Sequence, residues 1–143
     1  MGEFIADATI KQLIIAGKAP KNSKVVIFGL TFKENCPDIR NSKVEDIIKR
    51  LKEYEINSYI VDPWANEDDA KKEYGVTLTK MEYLNDVDCI ILAVAHDEFK
   101  YMSLDTLNKL YKDIANHVKI LIDVKSIYNK LLVNEYGFRY WRL

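Results

Sequence analysis

The chain has 143 residues, 48% of them hydrophobic and 30% charged, with a formal net charge of -1. That length suits one domain with a real core and is too short for two ordinary ones, and the composition is that of a globular rather than a disordered protein. A charge so near zero gives no long-range attraction to nucleic acid or an anionic membrane, and no apolar run reaches membrane-spanning length.

Ile5, Ala8, Ile10, Leu13 and Ile14 recur at spacings of three and four, which predicts a helix over 3–16, closed by Gly17. Ala19-Pro20-Lys21-Asn22 reads as a short linker, and the β-branched run Lys24–Phe28 as a buried strand. Ser42-Lys43-Val44-Glu45 fits a capping box, and Val44, Ile47, Ile48 and Leu51 continue it into a helix over about 43–54. A second strand, Ser58–Val61, is stopped by Asp62-Pro63, read as a turn. A helix over Glu67–Tyr74 ends at Gly75.

Asp88–Ala95 is the most continuous apolar run after the first and predicts a central strand. A helical pattern covers Leu104–Ile114, and Val118–Ile122 reads as a further buried strand. The alternating tail Phe138-Arg139-Tyr140-Trp141-Arg142 suits a late edge strand. Strands alternating with helices predict an α/β fold: a Rossmann-like three-layer sandwich with a mostly parallel sheet, preceded by an N-terminal helix. Such sheets bind ligands beyond the carboxyl ends of their strands, so 29–41, 62–66, 96–98 and 123–127 are the loops to inspect.

The loop after the first strand, GLTFKENCPDIRNS over Gly29–Ser42, lacks the second and third glycines of a dinucleotide fingerprint and does not make a P-loop. If it binds phosphate, side chains must do so. Lys33 and Arg40 are the candidates, helped by the amides at the helix start near Ser42. A solvated loop in which Lys33 and Arg40 pair with Glu34 and Asp38 fits the same residue types equally well. Cys36 and Cys89 are the only cysteines, with no metal-ligand spacing, and predict a reduced cytoplasmic protein without structural zinc. Cys36 could be a nucleophile, but no base adjoins it in sequence, and an inert thiol is the favoured reading. His96, at the exit of the central strand, reads as a connector before a short helix capped by Asp97. Tyr140-Trp141 reads as packing.

As a string, Gly29 to Ser42 strongly resembles the C-terminal domain of the UDP-glucose/GDP-mannose dehydrogenase family. The likeness extends through Val61-Asp62-Pro63-Trp64, Ala93-Val94-Ala95-His96-Asp97-Glu98-Phe99 and Arg139-Tyr140-Trp141-Arg142-Leu143, and is greatest to the branch acting on UDP-N-acetylhexosamines. The resemblance implies an NAD-dependent UDP-sugar 6-dehydrogenase that oxidises the sugar C6 alcohol to a carboxylate, giving uronic acids for surface polysaccharide. Family members pass through a thiohemiacetal and a thioester on one cysteine of the central region. Cys36 and Cys89 do not match that cysteine, so no catalytic residue is assigned here and this chain alone is expected to be inactive.

The resemblance also implies that residues 1–19 are the last helix of the central dimerisation region plus a linker, with 20–143 the UDP-sugar-binding domain. Phe32 and Lys33 then match a substrate-contacting pair. Arg40 matches an arginine that reaches NAD bound mainly by an absent N-terminal domain. Lys125, in Asp123-Val124-Lys125, stands where the family has a substrate-contacting arginine in Asp-Gly-Arg, and lacks that residue's planar fork. The implied partners are a UDP-sugar and the N-terminal and central domains of the same enzyme, which is expected to be a homo-oligomer. No metal, nucleic acid or membrane is implied. The rival reading is a non-catalytic interaction or regulatory module on a Rossmann-like frame.

Overall fold

The computed structural model describes all of residues 1–143. Helix α1, Gly2–Ile15, leads through a 3-10 turn into strand β1, Val25–Phe28. Then come α2 (Val44–Glu53), β2 (Tyr59–Val61), α3 (Glu67–Tyr74), β3 (Cys89–Leu92), α4 (Asp97–Lys100), α5 (Leu104–Asn108), β4 (Ile120–Asp123), α6 (Lys130–Tyr136) and β5 (Arg139–Arg142). The five strands form one sheet in the order β2-β1-β3-β4-β5, and every neighbouring pair is parallel.

Alternation along each strand sends successive side chains to opposite faces. Val25 and Ile27 of β1, with Cys89 and Ile91 of β3, join a core shared with Ile5, Ala6, Ile10 and Leu13 of α1 and Ile47 and Leu51 of α2. Val26 and Phe28, with Ile90 and Leu92, face a second core closed by Phe99, Leu107 and Val133. The result is the expected three layers, with α1, α2 and α3 on one face and α4, α5 and α6 on the other. Helix α1 is integral to the first core. It crosses α2 so closely that a Cβ on Gly2 would lie 2.5 Å from the Cβ of Asp46, and Arg50 donates to Asp7 across the contact. Its outer face leaves Phe4, Ile14 and Ile15 exposed.

Several local expectations change. Ser42 and Glu45 do not form a capping box. Lys43 is the N-cap of α2, and the Ser42 hydroxyl accepts from the Val44 N–H. The helix expected over Leu104–Ile114 stops at Asn108, because the next turn is drawn into pairing with the segment before β3. The Val87 N–H donates to the Leu110 carbonyl and the Lys112 N–H to that of Val87, while the Tyr111 hydroxyl caps the Ile120 carbonyl. Asp97 is the first residue of α4 and not its cap, which is His96. Helix α6 adds to the elements that periodicity predicts. Asn129, whose carboxamide accepts from the N–H groups of Leu131 and Leu132, and Gly137 at φ 99° bound it.

Candidate functional site

The chain runs from β1 outward to β2 and then crosses to β3 on the other side of β1, so the sheet changes direction between β1 and β3. A crevice opens outside the carboxyl ends of strands at such a point. Here it is a cavity of about 230 Å³ walled by Thr31, Phe32, Lys33 and Glu34 after β1, Ala93 and Val94 after β3, Lys125 after β4, and Lys43 and Val44 at the start of α2. Three of the four residues singled out in the sequence meet there. Phe32 is 55% exposed and lies outside the core.

Gly29 makes the approach possible. Its φ is 109°, and a Cβ there would lie 2.5 Å from that of Val94, so only glycine lets the loop leave β1 against the β3 exit. Lys33, Lys43 and Lys125 form no ion pair. Lys43 was not singled out in the sequence. It sits at the N-terminus of α2, where the helix dipole already favours an anion. Its capping-box context hid it, since that pattern directs attention to Ser42 and Glu45.

Arg40 lies elsewhere. Its guanidinium forms a bidentate pair with Asp38 at 3.0 Å, over a second cavity bordered by Pro37, Asp69, Lys72 and Glu73. Hydrogen bonding to Arg40 lowers the Asp38 carboxyl to about 2. The surface-pairing reading of the loop thus holds for Arg40, while Lys33 pairs with nothing.

The loop is held from beneath. Asp62, expected as a plain turn residue, is buried: its Oδ2 accepts from the N–H groups of Leu30 (2.6 Å) and Thr31 (3.0 Å) and from His96 Nε2 (3.0 Å), its Oδ1 from those of Trp64 and Ala65. Burial pushes the Asp62 carboxyl up, but the His96 and backbone hydrogen bonds outweigh it and hold the group below its ordinary value. His96 is completely buried. It makes no contact available to a ligand, in keeping with its reading as a connector. Asp123, also buried, accepts from Ile127, Tyr128 and the Tyr140 hydroxyl and so shapes the turn that carries Lys125. Trp141 packs against Phe4 of α1. Cys89 is buried with its thiol pushed up, chiefly by desolvation, and is inert.

This end of the sheet does not fit NAD as a resident cofactor. A dinucleotide takes its pyrophosphate on the first loop's amides and its ribose on the acid ending the second strand. Here the Leu30 and Thr31 amides and that acid, Asp62, are bonded to one another in the interior.

The fold is a doubly wound parallel sheet whose ligand crevice carries lysines in place of the glycine-rich phosphate loop. Residues 26–130 match the UDP binding domain of the UDP-glucose/GDP-mannose dehydrogenase family, and the chain belongs to that family. It is 42% identical over 127 residues to a UDP-N-acetyl-D-glucosamine 6-dehydrogenase of Pseudomonas aeruginosa, covering 89% of this chain and 29% of the relative. It is 40% identical over all 143 residues to Protein CapL of Staphylococcus aureus, 32% of that protein. Among solved structures, an NDP-N-acetyl-D-galactosaminuronic acid dehydrogenase of Methanosarcina mazei superposes with a TM-score of 0.86 at 22% identity, over 99% of this chain and 29% of that one, which shows the fold. The chain thus spans about three-tenths of the length of the relatives it matches. No helix is long and apolar enough to cross a membrane.

Proposed function

We propose that this chain is the nucleotide-sugar-binding part of an NAD-dependent UDP-sugar 6-dehydrogenase. The whole enzyme would oxidise the C6 alcohol of a UDP-N-acetylhexosamine to a carboxylate, for surface polysaccharide. The observation that carries the reading is the cluster of unpaired Lys33, Lys43 and Lys125 about one cavity at the switch point, in a chain of the UDP-binding family. A pyrophosphate brings two or more negative charges to three cations left without partners, at the positive end of α2. The exposed Phe32 ring supplies an apolar wall beside them. Lys125 acts as a point charge and does not grip a phosphate bidentately.

NAD belongs to a domain outside this chain, and Arg40, exposed on the α3 side of the loop, is the residue assigned to reach it. Residues 1–19 lead in from the central region, whose continuation would cover the outer face of α1 at Phe4, Ile14 and Ile15. The similarity to UDP-N-acetylhexosamine dehydrogenases supports the acetamido-sugar branch. The chain holds none of the catalytic cysteine chemistry and is expected to have no turnover alone.

The test is a UDP titration followed by amide NMR, with ADP as control. Selective shifts at Phe32, Lys33, Lys43 and Lys125 are expected. Absence of any response to UDP would return the chain to the rival reading of a non-catalytic interaction module.

A further inference from the structure

We propose that the buried His96–Asp62 pair is the positioning device of the loop that carries Phe32 and Lys33, working through a neutral His96 with its proton on Nε2. The ligand role of that loop rests on the function proposed above; the positioning itself rests on geometry.

Both ring nitrogens of His96 are directed at the 30–35 loop or at the carboxylate that holds it. The Asn35 N–H donates to Nδ1 at 2.9 Å. A backbone N–H can only donate, so Nδ1 must be the bare nitrogen and the proton must sit on Nε2. Nε2 lies 3.0 Å from Asp62 Oδ2 and 3.1 Å from Thr31 Oγ1. The Thr31 hydroxyl donates to the Lys33 carbonyl at 2.9 Å, which leaves its oxygen free to accept from Nε2. One imidazole therefore ties three points of the loop: Thr31, Lys33 through Thr31, and Asn35.

Asn35 is in the left-handed region at φ 53°, and its carboxamide accepts from the Asp97 N–H, so the strained residue is fixed from both sides. Phe32, between these points, closes the loop by donating its N–H to the Asp38 carbonyl. The ring itself cannot turn freely. Trp64 stacks over it at 6.0 Å between centroids, its indole N–H donating to Glu98, and Phe99 lies at 5.6 Å on another side. Phe32 and Lys33 are exposed and touch none of this packing, so their direction is set from below. The other tautomer, with its proton on Nδ1, would set two N–H donors against each other at Asn35 and take the ring's donor away from Asp62, so the tautomer and the loop conformation select one another.

Two measurements test this. The first is the nitrogen-15 spectrum of the imidazole in the unaltered chain. A protonated Nε2 and bare Nδ1 at neutral pH are expected; a proton on Nδ1 would overturn the proposal without any variant. The second compares His96→Gln, which keeps a donor toward Asp62 but removes the acceptor for Asn35, with His96→Asn, which keeps an acceptor at the Nδ1 position. His96→Gln should speed amide exchange at Asn35 by tenfold or more, leave the β3 amides Cys89–Leu92 protected, and weaken UDP binding about fivefold to tenfold. His96→Asn should restore the Asn35 protection and most of the affinity. Unchanged exchange at Asn35 and unchanged UDP affinity in His96→Gln would overturn the positioning role. Failure of the unaltered chain to bind UDP would instead sink the proposed function, while the tautomer and the exchange at Asn35 still decide this inference.

Discussion

Two buried aspartates sit at opposite ends of the same sheet and are satisfied by different chemistry. Asp88, just before β3 at the amino end, takes Lys18 at 2.7 Å, Lys112 at 2.9 Å and the Lys24 N–H at 2.8 Å, and so fastens the α1–β1 linker to the sheet. Asp62, at the carboxyl end, takes four backbone N–H groups and a histidine. One carboxylate is neutralised by cations and the other is solvated by dipoles. The consequence lies in the lysines. At the amino end two of them are held by a carboxylate. At the carboxyl end, where the switch-point crevice opens, Lys33, Lys43 and Lys125 have no such partner. A loop anchored by amide donors can be rigid without neutralising the charge it displays.

That contrast can be broken most severely at Asp62. Three of its five donors, those of Leu30, Thr31 and His96, are buried and cannot turn to water, so Asp62→Ala should cost about 3–5 kcal/mol in urea unfolding. Asp88→Ala should cost less, about 1–2 kcal/mol, because Lys18 and Lys112, 14% and 40% exposed, can swing outward. Equal losses at the two sites would remove the distinction.

Acid gives a second comparison. For Asp88, as for Asp62, burial raises the carboxyl and hydrogen bonding more than offsets it: Lys18, Lys24 and Lys112 hold Asp88 below its ordinary value. Groups lowered in the folded state stabilise it at pH above their unfolded value, near 4, and that stability is lost as pH falls through the folded values. Thermal stability should therefore decline below about pH 4. The decline should be smaller in Asp88→Asn, which has already lost the charge; an unchanged acid profile in that variant would refute the assignment.

Smaller effects are expected on binding. Lys33→Ala should weaken UDP affinity about tenfold, roughly 1.4 kcal/mol, with little change in stability, and added salt should reduce the difference. Arg40→Ala should be smallest: no resolvable change in the urea midpoint, as for exposed ion pairs, and no change in UDP affinity for this chain. A large loss of UDP binding in Arg40→Ala would join the two cavities that the structure keeps apart.

Much of this was legible in the residues. The runs Val25–Phe28, Cys89–Leu92 and Ile120–Ile122 are apolar on both faces because both faces are covered, and they announce a parallel sheet. The block Gly29–Ser42, with its mixture of glycine, aromatic and cationic residues, marks the crevice in the sequence itself. Long-range pairing was not legible. Leu107, Leu110 and Tyr111 carry a helical period, yet the last two are drawn into pairing with Val87, over twenty residues earlier. His96 and Asp62 each looked like a connector, because the partners that define them lie 31 to 65 residues away. Helix α6 is bounded by legible caps, Asn129 and Gly137, but its Leu131 and Leu132 face outward, so it carries no apolar stripe of helical period.

The most direct test of the lysine-lined crevice is a calorimetric titration of the chain with UDP, and separately with ADP, at low and at moderate salt. The expected result is saturable binding that prefers UDP, weakens with salt and falls in Lys33→Ala. Indifference to both nucleotides, or equal binding that Lys33→Ala leaves unchanged, would contradict the assignment of this crevice as the nucleotide-sugar site.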